Sequence, residues 1–358
     1  MSTVIPKPVR LGLVGFGVGG NYFHAPFIEA APQLELAGVV TRSPSRREEL
    51  SHRFPGVPAY DSLADLVEAE RAGDGLDAVT ITTPPQTRRQ LVLEALDHGL
   101  HVVADKPFAP DAEGAHQLDA AAKAAGRLLA VYHNRRWDSD IATLRTLLQS
   151  GRLGNATRFH STMDQDSPGT LEEGPGGGLL RDLGSHLIDQ ALWLFGPAQT
   201  VFATLDWVGA DGARSDVGFL VTLHHRSGVS SVLTASKRNH LDGRSLRVYG
   251  DLGSYLADTT DVQAQALFRG ERPVTDRTGW GYEPRSAWGS LHTAHGTSVV
   301  PSEQGSYVTF YEQFADAILH GSPLPVTALD GVEVLRVLDA ARTSDARGES
   351  VALDTSIH

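Results

Sequence analysis

Arg10-Leu11-Gly12-Leu13-Val14-Gly15-Phe16-Gly17-Val18-Gly19-Gly20 is the stretch that decides the fold of this chain. Its opening, Arg10 to Val14, is a short, largely apolar run ended by glycine, which reads as a buried strand of a parallel sheet. Gly15, Gly17 and Gly20 then fall on the G-x-G-x-x-G spacing, between that strand and a helical stretch predicted from about Gly20 to Ala31. In such a loop the glycines serve a tight turn, a close approach of backbone to pyrophosphate, and helix–strand packing. The helix N-terminus adds unpaired N–H groups and a partial positive charge for the phosphates. Gly15, Phe16, Gly17, Val18 and Gly20 are therefore candidate cofactor-binding residues.

Working outward, strand and helix alternate. Leu34 to Val40 is a second apolar run, followed by Ser43-Pro44, an N-cap and N1-type proline for a helix over Arg46 to Phe54. Asp61-Ser62 opens a helix through Ala69, Ala78 to Thr83 is a strand, and Pro84-Pro85 stops it. Gln86 to His98 reads as a helix ended by Gly99, Leu100 to Ala104 as a strand, and Asp111 to Ala125 as a helix closed by Gly126. Repeated β-α-β units of this spacing predict a Rossmann-type, doubly wound parallel sheet over residues 1–128.

The pattern changes after about Leu128. Alternating stretches such as Val217 to His224, Val229 to Ala235 and Ser245 to Tyr249 predict longer antiparallel strands with one wet face. A helix from about Gly178 to Phe195 interrupts them, and helices over Ser306 to Leu319 and Leu329 to Ser344 follow. Residues 129–358 are thus expected to form an α+β domain with a large, open, mainly antiparallel sheet. The loop from Asp164 to Gly178, rich in glycine, reads as long and flexible, a place where function is often found.

Bulk properties narrow the chemistry. A length of 358 residues is enough for two domains. The net charge of −12 argues against a nucleic-acid partner, since phosphate backbones are bound by clustered Lys and Arg. No run approaches the apolar length of a membrane span, and Met1 to Arg10 lacks the apolar stretch of a secretory signal. The absence of cysteine excludes disulfides, thiolate metal sites and a Cys nucleophile, and suits a cytoplasmic setting. His224-His225 lies in a strand, where neighbours point to opposite faces, so no metal site is expected there.

Three further motifs carry chemistry. About 20 residues beyond the glycine loop, where an acidic residue usually grips the ribose 2′-hydroxyl, stand Thr41-Arg42-Ser43. An arginine and two hydroxyls suit a 2′-phosphate, which favours NADP over NAD; the alternative is that Arg42 only stacks on the adenine. Asp105-Lys106-Pro107 closes a strand at the end where open α/β sheets bind ligands, and Thr83-Pro84 closes another. Lys106 is aimed at the cofactor crevice by that argument, the alternative being a surface lysine near a turn. In Gly176 to Asp189, Asp182 and His186 are spaced i, i+4 and would share one helix face. A histidine can exchange a proton with an alcohol near neutral pH, and a carboxylate on its face could orient it. The alternative is an aspartate favouring the helix dipole and an incidental histidine.

The glycine loop, Asp105-Lys106-Pro107 and the Gly176 to Asp189 stretch together resemble the Gfo/Idh/MocA oxidoreductases. Phe23-His24-Ala25-Pro26 and Tyr132-His133-Asn134-Arg135-Arg136-Trp137-Asp138 are similar to the branch containing NADP-dependent scyllo-inositol dehydrogenases. The resemblance implies that Lys106 hydrogen-bonds the reacting oxygen beside the nicotinamide, that His186 is the general base, and that Asp182 assists it and contacts substrate. It implies a sugar-lining role for Asn134 and Arg135, and cofactor contacts from Thr83, Pro84 and Asp105. It departs from the family pattern at Asp105, where glutamate is usual, and at Thr83-Pro84-Pro85-Gln86-Thr87-Arg88, where Thr-Pro-Asn-x-x-His is common. The expected activity is hydride transfer between NADP or NAD and a secondary alcohol of a sugar or inositol-like polyol. A glycosidase that uses bound NAD, and a non-catalytic ligand sensor, are the alternatives within the fold. The open sheet of the second domain points to a homodimer or homotetramer.

Overall fold

The computed structural model describes residues 7–171, 177–209 and 214–353. Residues 1–6 of the N-terminal reading, and Gly174, Pro175 and Gly176 of the glycine-rich loop, lie outside the described residues. The chain forms two compact units. One takes in the residues up to Asn134 with Gln263–Trp280 and Ser306–Leu329; the other takes in Arg135–Val262, Gly281–Gly305 and the residues from Asp330 onward. The expected division after Leu128 falls just before a strand that pairs within the first sheet, and two later segments join the first unit. Among the described residues no helix is long and apolar enough to cross a membrane.

In the first unit, β1 (Val9–Val14), β2 (Leu34–Val40), β3 (Ala59–Tyr60), β4 (Ala78–Ile81), β5 (His101–Asp105) and β6 (Leu129–Tyr132) make one sheet, ordered β3-β2-β1-β4-β5-β6. All its pairings are parallel. Leu11, Leu13, Val79, Ile81, Val102 and Val103 are fully buried, as strands covered on both faces require. The helices α1 (Ala25–Ala30), α2 (Pro44–Arg53), α3 (Leu63–Arg71), α4 (Pro85–Asp97) and α5 (Ala112–Ala124) alternate with the strands. A π-helical turn, Gly19–His24, precedes α1, where a regular helix was expected. Pro85 does not merely stop β4; it opens α4 at the first helical position, where the missing N–H costs nothing.

The register of this sheet positions a site. Val14 lies level with Val40 and Ile81, Ile81 with Ala104, and Asp105 with Tyr132. One edge therefore carries the residues that follow these strands: Gly15, Thr41, Thr82 and Lys106. The strand order reverses between β1 and β4, and ligands of open α/β sheets bind at such a switch point.

The second unit holds β7 (Ala156–Asp164), β8 (Ala198–Val208), β9 (Ser215–His225), β10 (Ser230–Ser236), β11 (Gly243–Gly250), β12 (Gly253–Thr259), β13 (Ser290–Thr293), β14 (Gly296–Val299) and β15 (Val351–Ala352). They form a nine-stranded sheet, antiparallel except for the parallel pair β7–β10. Val201, Ala203 and Leu205 of β8 are buried while Phe202, Thr204 and Asp206 between them are exposed, the expected one-wet-face pattern. Two helices, α6 (Ser139–Gln149) and α7 (Ser185–Phe195), belong to this unit, as does the helix Ala328–Arg347 from Asp330 onward. Ser344 and Asp345 on it accept the backbone N–H groups of Ala203 and Leu205, so the helix is fastened to β8.

Candidate active site

Two glycines of the first loop, Gly15 and Gly20, are required by close contacts within the fold. Gly15 has φ +101°, a left-handed conformation, and an added Cβ would stand 2.7 Å from Thr82 Oγ1. A Cβ on Gly20 would lie 2.2 Å from the Gly15 carbonyl oxygen, so only glycine lets the helix sit this close to the strand end. At Gly17 an added Cβ would meet nothing within 4 Å. The backbone there faces open space, as the glycine that admits a pyrophosphate must. Thr82, which the sequence reading passed over, donates to the Gly15 carbonyl at 3.0 Å and ties the loop to β4. This cradle fits a dinucleotide.

The end of β5 is held from two sides. Asp105 Oδ1 accepts the Lys106 backbone N–H at 2.8 Å, and its Oδ2 lies 3.7 Å from Nε2 of the buried His24. The other His24 nitrogen, Nδ1, is 2.6 Å from the Tyr311 hydroxyl, which in turn is 3.3 Å from Thr80 Oγ1. Burial alone would push the Asp105 carboxyl up. The His24 imidazole beside it, with the Arg88 guanidinium and Lys106 ammonium, outweighs that and holds it well below the usual carboxylate range. Arg88, at the position where the family commonly has histidine, is buried and donates to Thr83 O at 2.6 Å and to Pro107 O. One guanidinium thus bridges the loops that carry Thr83 and Lys106. The Lys106–Pro107 peptide is cis.

At the end of β2, Thr41 is buried and Arg42 is exposed. Ser43 sits at the N-cap of α2 with Pro44 at the first helical position, as expected, yet its hydroxyl does not cap the helix. It lies 3.0 Å from the Ser45 hydroxyl instead. Arg46, which the sequence reading did not single out, donates to Phe16 O at 2.6 Å and so brings a guanidinium to the glycine loop.

In the second unit the helix bearing Asp182 and His186 begins against a buried carboxylate. Asp216 Oδ2 accepts Leu180 N–H at 2.5 Å, and Gly178, at φ +94°, packs so close that an added Cβ would stand 2.0 Å from Asp216 Oδ1. Arg342 donates to Gly177 O at 3.1 Å. Burial pushes the Asp216 carboxyl above its ordinary value, against the opposing pull of the Leu180 N–H and Arg342. Gly177 and Gly178, expected as part of a flexible loop, are a fitted seat for the helix start.

The expected α-helical spacing of Asp182 and His186 needs correction. Leu180–Gly184 is a π-helical turn, and only from Ser185 does α7 begin, so the two residues lie on differently wound segments. His186 is buried, while the Asp182 side chain is 42% exposed. Asp182 Oδ2 accepts from Lys237 Nζ at 3.2 Å. Lys237 is a functional candidate the sequence reading missed. Its signal was present: Ser231, Leu233 and Ala235 form the buried face of β10, and position 237 continues their alternation with a lysine.

α7 also holds the segment Asn134–Trp137. Asp189 grips the Arg136 guanidinium in a buried bidentate pair, with the shortest contact 2.7 Å, and Gln190 donates to Arg135 O at 3.0 Å. Arg135 donates to Asp261 at 2.6 Å and Asp138 at 3.3 Å, so its charge is matched within the unit. Asn134 is buried in a 3₁₀ turn. His224 and His225 point to opposite faces, one toward Ser230 and the other toward Ser231 and Gly196 O, as predicted. Among the described residues no group of three or more His, Asp or Glu side chains is arranged to hold a metal.

Comparison with known proteins follows the same division. Residues 9–133 match the oxidoreductase family with an NAD-binding Rossmann fold, and residues 141–256 match the GFO/IDH/MocA C-terminal domain. The chain is 31% identical to scyllo-inositol 2-dehydrogenase (NADP(+)) IolW of Bacillus subtilis, over 97% of this chain and 96% of that one. It is 26% identical to inositol 2-dehydrogenase of Rhizobium meliloti, over 96% and 99%. The solved structure of YPO2259 from Yersinia pestis superposes with a TM-score of 0.89 at 32% identity, covering 99% of this chain and 100% of that one.

Proposed function

Because the chain belongs to the GFO/IDH/MocA family of oxidoreductases, we propose that it is a nicotinamide-dependent dehydrogenase acting on a secondary alcohol of a sugar or polyol. The observation that carries this reading is the strand register that brings the Gly15 loop, Thr41, Thr82 and the pinned Lys106 to one sheet edge. The dinucleotide would rest on Gly15, Phe16, Gly17, Val18 and Gly20, with Thr83, Pro84 and Asp105 beside it. When bound, it supplies the hydride acceptor or donor.

The protein's own groups do the rest. Lys106 donates a hydrogen bond to the substrate oxygen, and its charge stabilises the alkoxide that develops there. His186 takes the hydroxyl proton as general base, and Asp182 binds substrate and assists it. Asn134 hydrogen-bonds a substrate hydroxyl, and Arg135, whose charge Asp261 and Asp138 already match, holds that segment in place. Arg42, Ser43 and Arg46 make the ribose end of the site suited to a 2′-phosphate, so NADP is the preferred cofactor. The wet face of the nine-stranded sheet, with Phe202 and Leu220 exposed, is the surface through which copies would pair.

The test is NADP reduction followed by absorbance across a panel of inositols, aldoses and sugar acids. Wild type should form reduced cofactor with at least one polyol, and Lys106→Ala and His186→Ala should each lower turnover by about a hundredfold or more. Unchanged turnover in both variants would end this assignment.

A further inference from the structure

Lys237 breaks the pattern of the strand it extends. Its backbone N–H continues the ladder to Val217 O at 2.9 Å, in phase with the buried residues Ser231, Leu233 and Ala235. An apolar side chain would fill that position without cost, whereas an ammonium there must be desolvated and compensated. Only 2% of the residue is exposed. Among the described residues its acceptors are Asp182 Oδ2 at 3.2 Å and, at a long 3.4 Å, Thr170 O. A lysine carries three N–H donors, so these two acceptors leave one donor over. Departures from the binary pattern that bring no packing gain concentrate at functional sites.

We propose that Lys237 is a substrate-binding residue which, with Asp182, selects an uncharged vicinal diol over a sugar acid. This rests on the dehydrogenase reading above, because it takes Asp182 to face the substrate. The pair offers an N–H donor and a carboxylate acceptor side by side, with the carboxylate reaching solvent. Each hydroxyl of a vicinal diol is both donor and acceptor. One hydroxyl oxygen accepts from Lys237 Nζ while its neighbour donates to Asp182 Oδ. An anionic substrate gains nothing from this lysine, since Asp182 already neutralises it, and its own carboxylate meets the Asp182 charge. The fixed geometry of an ion pair gives orientation without net charge.

The test is isothermal titration of the protein, held at saturating NADP, with scyllo-inositol, myo-inositol and D-glucuronate. Wild type should bind at least one inositol, with glucuronate at least tenfold weaker. Lys237→Met fits the buried position and should keep the melting temperature and NADPH affinity of wild type, while weakening inositol binding about tenfold. The proposal is overturned if glucuronate binds as well as the inositols, or if no inositol binds. It is equally overturned if Lys237→Met lowers the melting temperature and leaves inositol affinity intact, the signature of a purely structural lysine. Inositol binding that depends on Lys237, but with no reduced cofactor formed from any probe, would instead break the dehydrogenase reading and leave the diol grip standing.

Discussion

Asp105 Oδ2 lies 3.7 Å from Nε2 of His24, and the opposite nitrogen of that ring meets the Tyr311 hydroxyl at 2.6 Å. The carboxylate that pins Lys106 is therefore buttressed from beneath by a buried imidazole. Its folded-state pKa is depressed, so its contribution to stability is fully present above the unfolded value of about 3.9 and is lost as pH falls below it. Wild type should exceed Asp105→Asn in unfolding free energy at about pH 6, and the gap should close progressively below about pH 4. Urea unfolding at a series of pH values measures it; a gap that widens in acid would contradict the assignment.

Arg88 spans two loops with one side chain. Replacing it with methionine leaves the Thr83 and Pro107 carbonyls without their donor, at a cost of about 2–3 kcal/mol in unfolding free energy. Because Lys106 precedes Pro107 directly, turnover at a temperature where the variant is folded should fall more than cofactor affinity does. Arg88→Lys, which restores one bond, should recover part of both losses.

The ribose end of the site makes a charge-specific prediction. Arg42→Ala and Arg46→Ala should each weaken NADPH about tenfold or more, equivalent to about 1.4 kcal/mol, and leave NADH nearly unaffected. Fluorescence titration of both cofactors at two salt concentrations tests it. Equal losses for NADPH and NADH would mean that the arginines merely shape the glycine loop.

Gly178→Ala should be severe for a single methyl group. A left-handed φ costs a non-glycine residue about 1–2 kcal/mol, and the new Cβ would displace the Asp216 carboxylate from Leu180 N–H. A total loss of about 2–4 kcal/mol is expected, with His186-dependent turnover falling in parallel. Gly169→Ala gives the comparison, since an added Cβ there would meet nothing within 4 Å and no left-handed φ is involved. Thermal and urea unfolding of the two variants side by side would decide the matter.

What the sequence made legible, and what it concealed, follows from the range of the interactions. The glycine loop, the strand ends and Lys106 could be read because each depends on neighbours in the chain: Gly15 on a local turn, Asp105 on the adjacent Lys106 N–H. The π turns before α1 and α7 were concealed because hydrophobic periodicity reports which face is apolar and not how the backbone is wound. Arg88 looked like a lost histidine, since its partners Thr83 and Pro107 are brought to it only by the sheet. Lys237 was visible as an irregularity in β10, but its meaning needed Asp182, 55 residues away. Arg135 and Arg136 looked alike in sequence, and only the fold pairs the first with Asp261 and Asp138 and the second with Asp189.

Tyr311, the residue that closes the polar chain beneath the glycine loop, stands 287 residues after His24. The strands β7 to β12, by contrast, come from one uninterrupted length of chain. As the polypeptide leaves the ribosome, the parallel sheet emerges first, but the unit built on it is not complete until Val308–His320 has been made. The N-terminal unit therefore does not finish folding before its successor has begun to emerge, and the second unit in turn waits for β15. A nascent chain halted before that helix would hold β7 to β14 without β15, and a nucleotide fold in which His24 still lacks its Tyr311 partner.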